Sequence, residues 1–435
     1  MLTSLRPLRS KNFALVWTSA LVSNVGSWMQ TVALGVVVTT RSHNPLWTGA
    51  VAAGAFIPIG VLSPVGGALA DRLDRRRWLI TTTLAEAGFA ALLAVLAATG
   101  HAPSWALLAV AFLGGTAAAV GFPTYQAMIP DLVPPDDLLG AVSLSSAQFN
   151  LGRVIGPVLA GLVLFAGSAS WVFAVNAVSF GAVVAALTVV RLPTARPHVG
   201  RNGTILRRIV EGARIAAAEP GCRSAIVLIA IVALIGSPFI ALVPAMAITA
   251  LGGGAGSTSV LLAAQGVGAV GCALVLASLV LALGRRVLVG ALGAFPLALV
   301  WYGLAPTLWS AALAILVVGA CYIGVLTGLN TVVQRRAPPE ARGRVLGLYM
   351  MVLGVFYPVG AVAQGAIAHV VGIRDVTAVS GAVLFGVMVV IALFRRHLFT
   401  ALEDPVTIAG DGHIVTVLAD PVVLADQPSP ERRDL

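Results

Sequence analysis

Gly66-Gly67-Ala68-Leu69-Ala70-Asp71-Arg72-Leu73-Asp74-Arg75-Arg76-Arg77 is the stretch whose reading decides the fold. It lies between two long apolar runs, 47–70 and 78–99, and packs six charges into a turn too short to be a domain. Two hydrophobic segments joined in this way form a membrane hairpin. Its arginines hold the turn on the cytoplasmic side, and its glycines let neighbouring helices approach closely.

The rest of the chain extends the pattern. Of 435 residues, 58% are hydrophobic and 10% charged, and the mean hydropathy is +0.97. A soluble domain averages about 25% charged residues, so the bilayer must be the solvent of this chain. At roughly 20 apolar residues per spanning helix, twelve spans are predicted: 13–38, 47–70, 78–99, 104–128, 139–166, 170–190, 224–250, 256–282, 286–304, 308–333, 343–370 and 375–394. The fold class is therefore an all-α integral membrane protein.

The net charge of +10 would suggest a nucleic-acid partner in a soluble protein. Here 24 of the 27 basic residues fall in the two termini, the central loop and the even-numbered turns, leaving Arg41, Arg374 and the intramembrane Arg153. By the positive-inside rule this places both termini in the cytoplasm of a cell-membrane protein. Its partners are the lipid bilayer and a small-molecule substrate, with no nucleic acid. The basic N-terminus leads into an apolar run too long for a signal peptide, which is read as a retained first span.

Other chemistries find no support. Cys222, Cys272 and Cys321 are far apart, and the six histidines are dispersed, so no metal site is expected. Lys11, the only lysine, is followed by asparagine, which excludes a Walker A motif. No serine elbow or acid–base pair with a nucleophile can be assembled. No enzyme activity and no cofactor are expected, and the protein is read as a monomer.

Internal symmetry is visible at an offset of 204 residues. Pro134-Pro135-Asp136 matches Pro338-Pro339-Glu340, Gly156 falls on Gly360, and Gly161 falls on Gly365. Proline followed by an acid suits the first turn of a helix, and parallel repeats occur in one large transporter class. Between the halves, 205–218 sets Ile205, Ile209 and Ile215 among Arg207, Arg208 and Arg214. It reads as an amphipathic helix on the cytoplasmic leaflet or as a solvated linker. The tail beyond about 398 is read as irregular, with a short strand over 414–418.

On these residues the chain resembles the major facilitator superfamily. Gly67, Leu69, Asp71, Arg72, Arg75 and Arg76 match its G-x-L-a-D-r-x-G-r-r loop motif, and Asp74 stands where the motif has its second glycine. The resemblance implies two six-helix bundles, with boundaries here at 1–190, 191–223 (central loop), 224–396 and 397–435 (cytoplasmic tail). It also implies a gating cluster of Gly67, Asp71, Arg72, Arg75, Arg76 and Asp131. In that cluster Asp71 faces the start of the eleventh span, and Arg72 or Arg75 pairs with Asp131. The alternative is that the arginines only set topology.

A second motif, Gly152-Arg153-Val154-Ile155-Gly156-Pro157-Val158-Leu159-Ala160-Gly161, is similar to the G-x-x-x-G-P-x-x-G-G element of the superfamily's exporters, with Ala160 replacing a glycine. Glycines four apart open a groove for a neighbouring helix, and Pro157 bends its own. The densest polar patch, Ser23–Thr31, resembles the first helix of the enterobactin-exporter-like and drug-efflux subfamily.

Two ionisable residues lie within spans, where charge is costly and faces a cavity or a partner. Arg153 is the candidate for substrate or coupling, and Glu86 is a candidate proton carrier or a residue snorkelling to the interface. Asn24, Trp28, Gln30, Gln148, Asn150, Gln265, Tyr322, Asn330, Tyr349 and Tyr357 are candidate cavity residues or interhelical glue. The function expected is a secondary active transporter that exports small organic molecules (drug, siderophore or metabolite) by alternating access, with protons as coupling ion. The alternatives are an importer of the same fold and a non-transporting membrane scaffold or sensor.

Overall fold

The computed structural model describes residues 2–190, 205–338, 341–402, 406–410 and 413–417. Within these, the side chains at 2–4, 64, 68, 71, 150, 154, 205, 206, 208, 273–285, 406–410 and 413–417 lie outside the description. The expectations for the side chains of Asp71 and Asn150, for Pro339 and Glu340, for the loop 191–204 and for the tail beyond 417 thus fall outside the described residues.

Short turns dictate the architecture. A span that stops at a two-residue turn must be followed by an antiparallel neighbour. α1 (Lys11–Ser42) ends at His43, which takes the left-handed conformation (φ 47°). Asn44 then caps α2 (Pro45–Arg72) by accepting from the Leu46 N–H at 2.9 Å. α2 passes to α3 (Arg75–Ala98) through Leu73 and Asp74 alone, with φ −99° and −61°. Asp74 caps α3, accepting from the Arg77 N–H at 2.7 Å. The turn needs no positive φ, so an acid can replace the motif's glycine without strain.

α4 (Ser104–Leu132), α5 (Leu138–Ala166) and α6 (Ala169–Val189) complete the first six spans. The amphipathic α7 (Ile205–Ala218) precedes α8 (Pro220–Ala250), where helical geometry loosens into π turns at Val232–Gly236 and Met246–Ala250. Pro238 and Pro244 lie between these turns, and each lacks the N–H that would hold the preceding turn. The Gln364 amide from a later helix donates to the Ile235 carbonyl at 2.7 Å.

Helical backbone runs unbroken from Ala255 to Leu304. A Cβ on Gly324 would nevertheless lie 3.5 Å from both Cys272 Sγ and Ala291 Cβ. On a straight helix those residues are about 28 Å apart. The chain therefore reverses between them and supplies two spans, α9 (Ala255–Cys272) and α10 (Arg286–Leu304). α11 (Leu308–Arg336), α12 (Arg342–Val371) and α13 (Ile373–Phe394) follow. Among the described residues, twelve helices are long and apolar enough to cross a membrane. Beyond them, Val406–Gly410 pairs antiparallel with His413–Val417, one residue earlier than the strand expected at 414–418.

With twelve spans among the described residues, the start of α1 and the end of α13 lie at one face, here called the terminal face; the opposite is the far face. The two arginines that break the charge asymmetry are both engaged by backbone carbonyls at helix ends or in the adjoining loop at the far face. Arg41 donates to Ala97 O at 2.9 Å and Ala102 O at 3.3 Å, and Arg374 to Ala250 O at 3.3 Å.

The repeat is structural as well as sequential. Gly156 of α5 seats α1 of its own bundle, against Trp28 and Val25, and Gly360 of α12 seats α8 of its own bundle, against Leu234 and Pro238. Gly161 instead meets Ser259 of α9, and Gly365 meets Pro45 of α2, each in the other bundle. Even the short helices before each bundle correspond. The 3-10 helix Leu2–Arg9 binds the start of α5 through Arg6–Asp137 at 3.1 Å, and α7 binds the start of α12 through Glu211–Arg344.

Candidate functional site

The two bundles meet along α2–α12 and α5–α9, and glycines set the close approaches in both seams. Gly365 against Pro45, Gly49 against Ala361 and Gly60 against Gly354 step down the α2–α12 seam from the far face toward mid-depth. Gly161 against Ser259 closes the α5–α9 seam, and Gly35 packs on Pro244 of α8. Gly67 and Gly347 are each seven residues further toward the terminal face, within about 20° of the same helix face. A Cβ at either would meet nothing within 4 Å among the described residues, and the same holds at Gly343. Among the described residues, the close approach of α2 and α12 runs from the far face to Gly60–Gly354 and is not continued at Gly67, Gly343 or Gly347.

Where the seams end, Arg153 lies between two aromatic rings. Its guanidinium carbon is 5.7 Å from the Trp28 ring centroid (α1) and 5.6 Å from that of Tyr322 (α11). Trp28 also contacts Phe56 of α2 at 6.4 Å and Phe149 of α5 at 6.1 Å, and Phe56 meets Tyr357 of α12 edge-on at 5.5 Å. The cluster thus draws on five helices from both bundles. Phe149, one turn from Arg153 toward the terminal face, is 41% exposed. An arginine within a span costs at least about 2.5 kcal/mol; cation–π contacts of roughly 0.5–2 kcal/mol offset part of this. Arg153 makes no ion pair or hydrogen bond with a described residue, and neither do the hydroxyls of Tyr322 and Tyr357.

Gly152 and Gly156 explain how Arg153 is aimed. A Cβ at Gly152 would sit 2.9 Å from Asn24 Cβ, and one at Gly156 2.5 Å from Trp28 Cβ. The two glycines bring α1 against α5, so that Trp28 lies beside the arginine between them. Pro157 is buried as well.

Glu86 is elsewhere. Its carboxylate lies on the α3–α4 seam, 3.7 Å from where a Cβ of Gly121 would stand and next to Thr82. It has no ion pair or hydrogen bond among the described residues, and the structure does not bring it to Arg153. Several polar candidates bind other helices or their own. Gln30 accepts from Asn176 at 2.9 Å, Gln148 from the Tyr125 hydroxyl at 3.0 Å, and Asn330 from Gln334 one turn away at 2.5 Å. The Tyr349 hydroxyl donates to Leu326 O at 3.0 Å, whereas Gln265 Oε1 is buried without a partner among the described residues.

At the terminal face, Arg75 donates to Asp131 and to the Ala127 carbonyl, both at 2.9 Å. Arg76 reaches the Thr188 carbonyl at 2.5 Å, and Arg72 is exposed. These contacts join α3 to α4 and α6 within the first bundle. In the second bundle Glu219 caps α8, accepting from the Cys222 N–H at 2.5 Å and from Arg336 at 2.6 Å. Burial pushes the Glu219 carboxyl up, but these hydrogen bonds outweigh it and hold the group below its usual 4.5.

The model of the transmembrane secretion effector family matches residues 2–407. Macrolide efflux protein A of Streptococcus pyogenes is 23% identical over 398 residues, covering 88% of this chain and 96% of that protein. The enterobactin exporter EntS of Escherichia coli is 27% identical over 418 residues, covering 92% and 95%. In structure, a bacterial homologue of the lysosomal transporter Spinster superposes with a TM-score of 0.70 at 16% identity, over 91% of this chain and 97% of that one. A D-xylose–proton symporter gives 0.65 at 16% identity, over 85% and 96%. The chain belongs to the transmembrane secretion effector family, and is a multi-pass transporter of small molecules with the major facilitator fold.

Proposed function

We propose that this protein exports small organic molecules by alternating access, driven by the proton gradient, with a central site around Arg153, Trp28, Tyr322 and Tyr357. The observation that carries the reading is the α2–α12 seam, closed from the far face to Gly60–Gly354 and open at Gly67 and Gly347. With the basic terminal face in the cytoplasm, this corresponds to an inward-open state, with the proposed central site around Arg153 beyond the last close contact of the seam. The rocking bodies are 1–190 and 224–396, joined by the loop 191–223 and followed by the tail 397–435, in a monomer.

Return to the outward-open state requires α2 to close on α12. Position 71 is eleven residues from Gly60, within about 20° of the same face. A carboxylate there would meet the N-terminus of α12, a contact worth roughly 0.3–2 kcal/mol. Gly67, Asp71 and Arg72 then act between bundles. Arg75, Arg76 and Asp131 brace α3, α4 and α6 so that the first bundle moves as one body. Glu86, an unpaired carboxyl within a span, is the proposed proton carrier. The exporter-type glycines and the efflux relatives support outward transport.

The test is accumulation of a broad compound panel in a deletion strain and in the complemented strain. Complementation should lower the accumulation of at least one compound, and an uncoupler, Asp71→Asn or Arg153→Ala should abolish the difference. Faster net uptake by energised complemented cells would indicate an importer. Phenotypes unchanged by both substitutions would indicate a scaffold or sensor.

A further inference from the structure

We infer that the central site selects organic anions: a planar, aromatic body carrying a carboxylate or phenolate, whose negative group binds Arg153. The inference rests on the transport reading of that site and names its substrate class. Trp28 and Tyr322 take up the surroundings of the guanidinium at 5.7 and 5.6 Å, yet no acceptor among the described residues takes its N–H donors. A planar fork of donors supported by rings is prepared for a two-oxygen acceptor. The nearby hydroxyls of Tyr322 and Tyr357 have no hydrogen-bond partner among the described residues either, and supply two further donors. Among the described residues, Glu86 faces α4, while Asp131, Asp137, Glu211 and Glu219 pair with arginines at the terminal face.

Among the described residues the site therefore carries a positive charge with no ion-pair partner, beside two hydroxyl donors. An anion would neutralise it, and a cation would add to it in a medium where charge is poorly screened. The aromatic surfaces of Trp28, Phe56 and Phe149 are suited to a flat hydrophobic body beside the charge.

The test uses the full chain in lipid nanodiscs and three probes of one shape: 2-naphthoate, 2-naphthamide and 2-naphthylmethylamine. Equilibrium binding should favour the carboxylate over the amide by roughly ten- to hundredfold, with the amine weakest. Arg153→Gln should remove the preference, and Arg153→Lys should restore only part of it because an ammonium lacks the fork. Equal binding of the three probes, preference for the amine, or no binding of the carboxylate by protein that elutes as a folded species would each overturn the inference. So would a preference unchanged in Arg153→Gln. The wild-type series alone suffices if the variants fail to fold. Binding in nanodiscs needs no gradient and no direction, so failure of export in cells leaves this result standing, and failure here leaves export standing.

Discussion

Glycine is used at single positions in two opposite ways, and the difference is measurable. At Gly156 a Cβ would sit 2.5 Å from Trp28 Cβ and 2.9 Å from Val25 O. Gly156→Ala should cost roughly 1–3 kcal/mol by overpacking the α1–α5 seam, read as a lower midpoint of thermal unfolding in detergent. At Gly67 the same change meets open space; it should leave the midpoint unchanged or raise it, since alanine is the better helix former by about 1 kcal/mol. Transport should nonetheless fall, because the closed seam needs that space. Both glycines were legible in the sequence as motif members. Which one is crowded was not, because the neighbour that crowds Gly156 is 128 positions away in the chain. For the same reason the ring partners of Arg153 were hidden: Trp28 and Tyr322 were visible only as members of a longer roll of polar and aromatic candidates.

Between elements, the ends of helices carry most of the specific polar contacts. Glu219 joins the start of α8 to the end of α11 through Arg336. Its carboxyl is held below 4.5, so the stabilisation is fully present above the unfolded value and is lost as pH falls through the lower, folded one. Wild-type protein should lose thermal stability progressively below about pH 4.5, and Glu219→Gln should start lower at neutral pH and show a flatter acid limb. The Glu211–Arg344 pair offers a second check. Glu211→Arg and Arg344→Glu should each loosen α7, read as faster hydrogen exchange over Ile205–Ala218, and the double exchange should recover protection. The element list itself was largely legible: hydropathy placed every span, and α1, α2, α3 and α11 run up to about a turn further because Lys11, Arg72, Arg75 and Arg336 continue them into the interface. Docking of α7 on α12 was not legible, since an amphipathic face alone does not distinguish a lipid surface from a protein one.

For the whole molecule, the proposed inward-open form, with α2 and α12 close at the far face, is one of the two states that alternating access needs. In a background with Cys222, Cys272 and Cys321 replaced by alanine, spin labels at Leu73 and Arg342 report the terminal face, and labels at His43 and Val371 the far face; all four positions are exposed. Distances between each pair should change in opposite senses when the protonation state or a bound substrate is varied, the terminal-face pair shortening as the far-face pair lengthens, and Gly67→Leu should block both changes. Distances that stay fixed under every condition, or that lengthen and shorten together at the two faces, would contradict rocking of the bundles about the α2–α12 and α5–α9 seams.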